Sequence, residues 1–125
     1  MKPNPVVWFE IYVADIARAK RFYETVLGAS LTKLEDPTGE SEMWSFASSQ
    51  EGSGASGALV KMAGIEPGGG GTLVYFACDD CGVEAARVEA AGGQVMRPKF
   101  AIGEHGHIAL VADTEGNMVG LHSMR

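Results

Sequence analysis

Within residues 6–13 the set Trp8, Glu10 and Tyr12, which carries polar atoms, alternates with the wholly apolar set Phe9, Ile11 and Val13. Apolar residues are then spaced three and four apart over residues 15–27. Alternation is typical of a β-strand with one buried face, and the wider spacing is typical of an amphipathic helix. Asp15 is placed to cap this helix, because its side chain can accept a backbone N–H of the first turn, and Gly28 can end it. The pattern therefore predicts a strand that leads directly into a helix.

The same order of patterns returns in the second half of the chain. Asp15 and Asp79 lie 64 positions apart, as do Gly28 and Gly92, and both pairs stand where a helix would begin and end. The adjacent Asp80 is an alternative cap for the second helix. A shared order of elements at a fixed separation indicates an internal duplication. Two similar halves in a chain of this size suggest a common cavity of ligand size.

Alternation, caps and turn residues together predict eight strands and two helices in the order βαβββ, written twice. The predicted helices are 15–27 and 80–91, and the predicted strands are 6–13, 29–34, 43–49, 57–62, 72–77, 93–100, 106–112 and 117–123. The glycine-rich stretch 64–71 divides the halves and has the composition of a linker. We therefore expect an α+β fold in one domain over 1–125, with modules at 1–63 and 72–125.

Composition narrows the partners that this chain can have. Its 125 residues are enough for one domain with a real core. The net charge is −6 and no Lys/Arg cluster is present, which argues against nucleic acid and anionic membranes as partners. No apolar run approaches the length of about 20 residues that spans a bilayer, and no signal-peptide pattern is visible. A cytoplasmic protein is the expectation.

Cys78 and Cys81 form a C-x-x-C pattern at the start of the second predicted helix. A helix N-terminus favours a thiolate, but the two carboxylates between the cysteines oppose it. A structural zinc would need two further Cys or His ligands nearby. We expect a pair of reduced thiols, with a redox or metal role as the alternative.

Two stretches resemble the vicinal oxygen chelate superfamily, which includes glyoxalase I, extradiol dioxygenases and bleomycin-resistance proteins. The sequence DIARAKRFY at 15–23, followed by Leu27-Gly28, is similar to the motif D-x-x-R-A-x-x-F-Y…L-G of that family. The sequence DTEGNMVGL at 113–121 is similar to its motif D-P-x-G-N-x-I-E-L. The resemblance covers nearly the whole chain. It implies a glyoxalase/bleomycin-resistance-like cup of eight strands, and a homodimer.

Metal-dependent members of this family hold a divalent ion with one side chain from each of four strands. The resemblance maps those positions onto Trp8, Ala58, Thr72 and Gly120. None of the four is a usual metal ligand, and alanine and glycine carry no donor side chain. The sequence therefore predicts no metal and no cofactor.

The residues that would line the cavity follow from strand alternation. The side chains predicted to face it are mostly aromatic or aliphatic, with few polar groups, as is usual in a small-molecule pocket. By alternation they are Trp8, Glu10, Tyr12, Val60, Met62, Thr72, Val74, Phe76 and His122. Trp44 and Phe46 are added because they stand 64 positions before Ile108 and Leu110, and packing in the core or in a dimer is the alternative for both.

Glu10 and His122 are the candidate catalytic groups. A carboxylate among aromatic side chains would be partly desolvated, which is the condition for a general base, and His122 could pair with it across the cavity. The simpler alternatives are a structural hydrogen bond for Glu10 and a solvated His122 near the chain end. His105 and His107 flank Gly106, and by alternation they could form half of a metal site on another face.

The predicted function is the binding of a small, partly apolar organic molecule without the usual metal of the family. Glu10, Tyr12 and His122 would orient this ligand, and the aromatic residues would hold it. The alternative is a metal-dependent lyase, isomerase or dioxygenase that uses a non-standard set of ligands. A purely structural module would instead have a filled cavity.

Overall fold

The computed structural model describes residues 3–4, 6–70 and 72–125, and it has the predicted βαβββ order twice. The strands are β1 (Trp8–Tyr12), β2 (Thr32–Leu34), β3 (Ser41–Ser45), β4 (Ser56–Met62), β5 (Val74–Ala77), β6 (Gln94–Ala101), β7 (His107–Ala112) and β8 (Met118–Ser123), and the helices are α1 (Ile16–Leu27) and α2 (Cys81–Ala85). The parts of the predicted modules and linker that fall on residues 1, 2, 5 and 71 lie outside the described residues. No helix in the described ranges is long and apolar enough to cross a membrane.

The two modules have the same sheet topology. The strand orders are β1-β4-β3-β2 and β5-β8-β7-β6. In each module the first and fourth strands are parallel and the other neighbours are antiparallel. The eight strands predicted from the sequence are therefore confirmed as two equivalent sheets of four, with one helix in each module.

The helix α1 has the ends that the sequence predicts. The Asp15 side chain accepts a hydrogen bond from the backbone N–H of Arg18 at 3.0 Å. Gly28 ends the helix with a φ of 63°, a left-handed conformation that is cheap only for glycine. Phe22, Tyr23 and Val26 are buried on the side of α1 that packs against the sheet.

The second helix is shorter than predicted. Its cap is Asp80, whose side chain accepts the Gly82 N–H at 3.0 Å, and its regular part ends at Ala85 rather than at residue 91. After that point Arg87 and Val88 donate to carbonyls three residues back, which is the tighter 3₁₀ pattern. The two helix caps, Asp15 and Asp80, are therefore 65 positions apart rather than 64.

Each sheet has a helix-covered face and an opposite face, which we call the open face. The core lies on the helix-covered face, where Ile11, Leu59, Val111 and Leu121 are buried. An aromatic cluster on this face joins the two modules, and its members are Phe9, Phe22, Tyr23, Phe46 and Phe76. The Phe9 and Phe76 ring centroids are 5.9 Å apart, so a side chain of β1 meets a side chain of β5 where the modules join. We call the line between these two strands the module seam.

The turn between β7 and β8 ties the second module to the first. Glu115 accepts the backbone N–H groups of Ala14 and Asp15 at 3.0 and 2.9 Å and the Arg18 Nε–H at 2.7 Å. The Glu115 side chain has no exposed surface, whereas that of Arg18 is 47% exposed. The carboxylate therefore replaces water for the backbone donors at the start of α1.

A second buried carboxylate extends this connection. The Tyr23 hydroxyl donates to Asp113 Oδ2 at 2.7 Å, and Asp113 Oδ1 accepts the N–H groups of Glu115 and Asn117. The Asn117 side-chain amide donates to the carbonyl of Tyr12 at 2.9 Å. The residues of the closing sequence motif thus position the end of β1, which carries the first part of the candidate site.

Candidate functional site

Three side chains of β1 form a connected group on the open face. Trp8 Nε1 donates to Glu10 Oε2 at 3.2 Å, and the Tyr12 hydroxyl donates to Glu10 Oε1 at 2.7 Å. Because successive strand residues point to opposite faces, all three lie on one side of the sheet, as predicted. The hydrogen bond to Glu10 raises the pKa of Tyr12, and burial and the negative charge of Glu10 add to the shift. Tyr12 therefore acts as a hydrogen-bond donor, and the carboxylate is held at both oxygens.

Glu10 lies in a more open setting than the sequence suggested. It is exposed rather than desolvated, and Trp8 is 41% exposed. A carboxylate can accept about four hydrogen bonds, and only two acceptor directions are used by Trp8 and Tyr12. Glu10 is thus fixed in orientation and still able to accept a hydrogen bond from a ligand.

The neighbouring strand β4 provides the floor beside this group. Ala58 lies opposite Glu10, and Val60 lies opposite Tyr12. Val60 is fully buried and Met62 is half-buried, with Met62 opposite Ser41 of β3. Val60 and Met62 therefore lie on the open face, and their contact with a ligand stays a prediction.

The predicted face of β5 is wrong. Val74 and Phe76 lie opposite Val119 and Leu121, which are core residues, so both point to the helix-covered face. The open face of β5 instead carries Tyr75, which lies opposite Gly120 and is 47% exposed. The prediction failed because the helix caps of the two modules are 65 positions apart rather than 64. A shift of one residue exchanges the two faces of a strand.

The predicted placement of Trp44 and Phe46 in the cavity is also wrong. Trp44 lies opposite Leu59, which is buried in the core, and the ammonium of Lys20 from α1 sits 4.9 Å from the Trp44 ring centroid. Phe46 belongs to the aromatic cluster, with its ring centroid 5.3 Å from that of Phe76. Both residues stabilise the helix-covered face.

A cleft of about 310 Å³ opens at one end of the module seam. Glu10 and Tyr12 line it from β1, and Thr72 and Val74 line it from the other module. Thr72 and Val74 are therefore next to a cleft, although Val74 points to the helix-covered face. The remaining lining residues are Ile11, Glu66, Gly68, Gly69, Gly70, Asn117, Met118 and Val119.

The three histidines do not form one site. His122 lies on the open face of β8, and its Nε2 lies 2.7 Å from the carbonyl oxygen of His105. Because a carbonyl only accepts, this nitrogen carries the proton. His105 lies in a short 3₁₀ turn and is exposed, whereas His107 lies in β7 opposite Ser123 on the helix-covered face. The two residues do not share a face by alternation, because the turn and Gly106, with a φ of 98°, interrupt the strand.

The positions that hold a metal in related folds do not suit a metal here. Ala58 carries no donor side chain, and Gly120 is covered by the ring of Tyr75, so that a Cβ built on Gly120 would clash with three ring carbons. Thr72 lies before β5 rather than in a strand. In the part of the chain that the structure describes, no group of three or more His, Cys, Asp or Glu side chains is arranged to hold a metal ion. The donor set therefore does not fit the family's metal centre.

Purified protein should accordingly carry no stoichiometric divalent ion. Elemental analysis of protein purified without chelator is the measurement, and the expected metal content is below about a tenth of an equivalent. A near-equimolar metal, together with a Tm that falls on chelation, would contradict this expectation because a bound metal stabilises the folded state.

The cysteine pair has the character of buried thiols. Cys81 is buried, Cys78 is half-buried, and both are free. Burial raises the pKa of Cys78 to about 12, with further contributions from Glu84 and Cys81. A thiol with so high a pKa is a poor nucleophile and a poor metal ligand at neutral pH.

Comparison with known sequences identifies the family. Residues 6–121 match the family model of the Glyoxalase/Bleomycin resistance protein/Dioxygenase superfamily. The chain is 31% identical over 119 residues to CFP32 of Mycobacterium tuberculosis, a proposed glyoxylase, and 30% identical over 128 residues to the anthracycline biosynthesis protein DnrV of Streptomyces peucetius. Both alignments cover 91% of this chain but 43% and 45% of those proteins, so the chain spans less than half the length of these curated relatives.

Solved structures agree with this result. TnmS3, an antibiotic binding protein from Streptomyces sp. CB03234, is similar with a TM-score of 0.72 at 26% identity, and the alignment covers 98% of both chains. Glyoxalase I from Zea mays is similar with a TM-score of 0.76 at 25% identity, and it covers 99% of this chain and 47% of that one. The protein is therefore a member of the Glyoxalase/Bleomycin resistance protein/Dioxygenase superfamily.

Proposed function

We propose that this protein binds a small, partly apolar organic molecule on the open face beside the module seam, without a metal ion. The observation that carries the proposal is the fixed carboxylate of Glu10, held by Trp8 and Tyr12 on a face that remains accessible. A few oriented polar groups among apolar side chains are the usual composition of a ligand pocket.

Exposed large apolar side chains near Glu10 support this proposal. Trp8, which donates to Glu10, is 41% exposed, and Met118, which lines the cleft with Glu10, is 38% exposed. Tyr75 on the open face of the second sheet is 47% exposed. Exposed apolar surface of this kind marks binding sites on small proteins. A second copy of the chain over this face would enclose the ligand further, and the homodimer implied by the family resemblance stays part of the proposal.

Two of the similar proteins bear names that are consistent with ligand binding. TnmS3 is named as an antibiotic binding protein, and the match covers 98% of its length. DnrV is named for anthracycline biosynthesis. Binding of a natural product with an apolar body is therefore a reasonable class of activity for this chain.

The alternative function, that of a metal-dependent enzyme, has less support from the geometry. It would need Glu10 and His122, or His105 and His107, to share a metal ion. Within the described residues no three His, Cys, Asp or Glu side chains are arranged to hold a metal ion, and the Nε2–H of His122 is engaged by the carbonyl of His105.

Replacing Glu10 with glutamine should weaken ligand binding without unfolding the protein. The carboxylate is exposed, so the fold depends little on it, whereas a ligand hydrogen bond to a charged group is worth about 1.5–3 kcal/mol. A thermal-shift screen would find a ligand, and calorimetry should show a Kd for Glu10→Gln that is higher by about tenfold to a hundredfold.

Glu89→Gln is the matched control, because Glu89 is an exposed acid outside the cleft lining. It should leave both Kd and Tm unchanged. If Glu10→Gln instead lowers Tm and leaves Kd unchanged, the carboxylate is structural. If Kd is unchanged while turnover of a substrate disappears, the protein is an enzyme with Glu10 as general base.

A further inference from the structure

The side chain of Tyr75 lies on a glycine where metal-dependent relatives of this fold would hold a metal ligand. Tyr75 on β5 and Gly120 on β8 are directly opposite each other in parallel strands. A Cβ on Gly120 would clash with the Cγ, Cδ1 and Cε1 atoms of the Tyr75 ring. The ring therefore occupies the space that any side chain at position 120 would need.

The backbone does not require glycine at position 120. Gly120 is not one of the glycines with positive φ, so its conformation is open to any residue. What the position requires is the absence of a side chain, because only then can the Tyr75 ring approach the sheet. The glycine thus serves to seat the aromatic ring, and it is buried beneath that ring.

The seated ring remains accessible from the open face. Tyr75 is 47% exposed, although its contact with Gly120 covers part of the ring. No hydrogen bond of its hydroxyl is present within the described residues. An aromatic ring that is supported on one side and exposed on the other is a surface on which a second ring can stack.

A second exposed aromatic ring stands on the other side of the module seam. The Phe9 and Phe76 ring centroids, on the helix-covered face, are 5.9 Å apart. Their chain neighbours Trp8 and Tyr75 therefore emerge on the open face on either side of the same seam. The Trp8 indole is oriented by its hydrogen bond to Glu10 at 3.2 Å.

We propose that the Tyr75 ring, seated on Gly120, is a stacking platform for a planar aromatic ring of the ligand on the open face. This inference rests on the proposed function and narrows the ligand to molecules that contain a flat π-system. Stacking favours a planar ring over a saturated ring of the same size, because only the planar ring can contact the whole face of Tyr75. Glu10 would accept a hydrogen bond from a polar group of the same ligand.

A pair of uncharged probes tests this inference directly. The probes are 2-naphthol and trans-2-decalol, which share a hydroxyl and a two-ring body but differ in planarity. Calorimetric titration of the wild-type protein should give a Kd for 2-naphthol about threefold to tenfold below that for trans-2-decalol. Tyr75→Leu should reduce this preference to about one, and Tyr75→Phe should keep it because the ring remains.

Two further variants separate stacking from general disturbance of the sheet. Gly120→Ala should reduce the preference as Tyr75→Leu does, because the added methyl group displaces the ring. Val83→Ala, at an exposed position on α2, should leave the preference and the Tm unchanged. Circular dichroism of each variant confirms that it is folded, and Tyr75→Leu carries the test if Gly120→Ala does not fold.

Equal binding of the two probes by the wild-type protein would overturn the stacking platform and leave small-molecule binding in place. A preference that is unchanged in Tyr75→Leu would overturn it as well. If neither probe binds while a ligand from the thermal-shift screen does, the platform is again wrong. If neither the probes nor the screen yields a ligand, the proposed function fails together with this inference.

Discussion

Glu115→Gln should lower the free energy of unfolding by about 3 kcal/mol, because it removes a buried charge that holds two modules together. The Glu115 carboxylate has no exposed side-chain surface and accepts hydrogen bonds from Ala14 N, Asp15 N and the Arg18 guanidinium. Removing one partner of a buried ion pair costs about 3–5 kcal/mol, and the lower value applies because Arg18 is half exposed and can regain water. Urea denaturation followed by circular dichroism measures the change.

The pH dependence of stability gives an independent measure of the same carboxylate. Burial alone would raise the pKa of Glu115, but hydrogen bonds from Arg18, Asp15, Thr114 and Ala14 outweigh it and lower the pKa from 4.5 to about 2. Since the pKa is lower in the folded protein, the stabilisation is fully present above about pH 4.5 and is lost as the pH falls towards 2. The Tm of the wild-type protein should fall steeply over that range.

In Glu115→Gln this part of the fall should be absent, because glutamine does not titrate. Glu89→Gln, which changes an exposed acid, is the control and should retain the wild-type pH dependence. The role assigned to Glu115 would be refuted by a variant whose Tm at pH 7 is within a degree of the wild type and whose pH profile is unchanged.

The elements of the fold could be predicted because their signals are local. The cap at Asp15, the terminal glycine at Gly28 and the alternation of Trp8, Glu10 and Tyr12 each depend on a few adjacent residues. All of these predictions are confirmed by the structure.

The face of β5 could not be predicted from alternation, because alternation separates two sets of residues without saying which set meets the helix. The prediction that Thr72, Val74 and Phe76 face the cavity assumed a constant spacing of 64 residues between equivalent positions of the two modules. The helix caps Asp15 and Asp80 are 65 apart, and this single residue moves Phe76 into the core. The sequence did contain Asp80 as an alternative cap, and that signal would have placed Tyr75 on the open face.

The face on which Trp44 lies is set by strand pairing between segments that are distant in the sequence. Trp44 and Phe46 were assigned by analogy with Ile108 and Leu110, which do lie on the open face beside His122 and Gly120. In the first module, β3 pairs with β4 in a register that brings Trp44 opposite Leu59. Such a register is set by packing of the whole module and has no local sequence signal.

Phe76→Ala should lower the free energy of unfolding by about 3 kcal/mol, and it should leave the planar-ring preference of the open face unchanged. The Phe76 ring lies 5.3 Å from Phe46, 5.9 Å from Phe9 and 5.9 Å from Tyr23, measured between centroids. Its removal leaves a cavity in the cluster that joins the modules, and Phe→Ala changes in cores cost about 3–5 kcal/mol. The lower value applies because Phe76 is half-buried.

The adjacent residue offers the matched variant, since Tyr75→Ala removes a ring of similar size from the opposite face of the same strand. It should lower the free energy of unfolding by less than Phe76→Ala does, because about half of the Tyr75 surface is already exposed, and it should abolish the preference for 2-naphthol. Denaturation and calorimetry on the two variants therefore give opposite patterns if β5 has the face that the structure assigns to it. If Phe76→Ala loses the preference and keeps the stability, the faces are exchanged, and the cavity lining predicted from the 64-residue spacing was right.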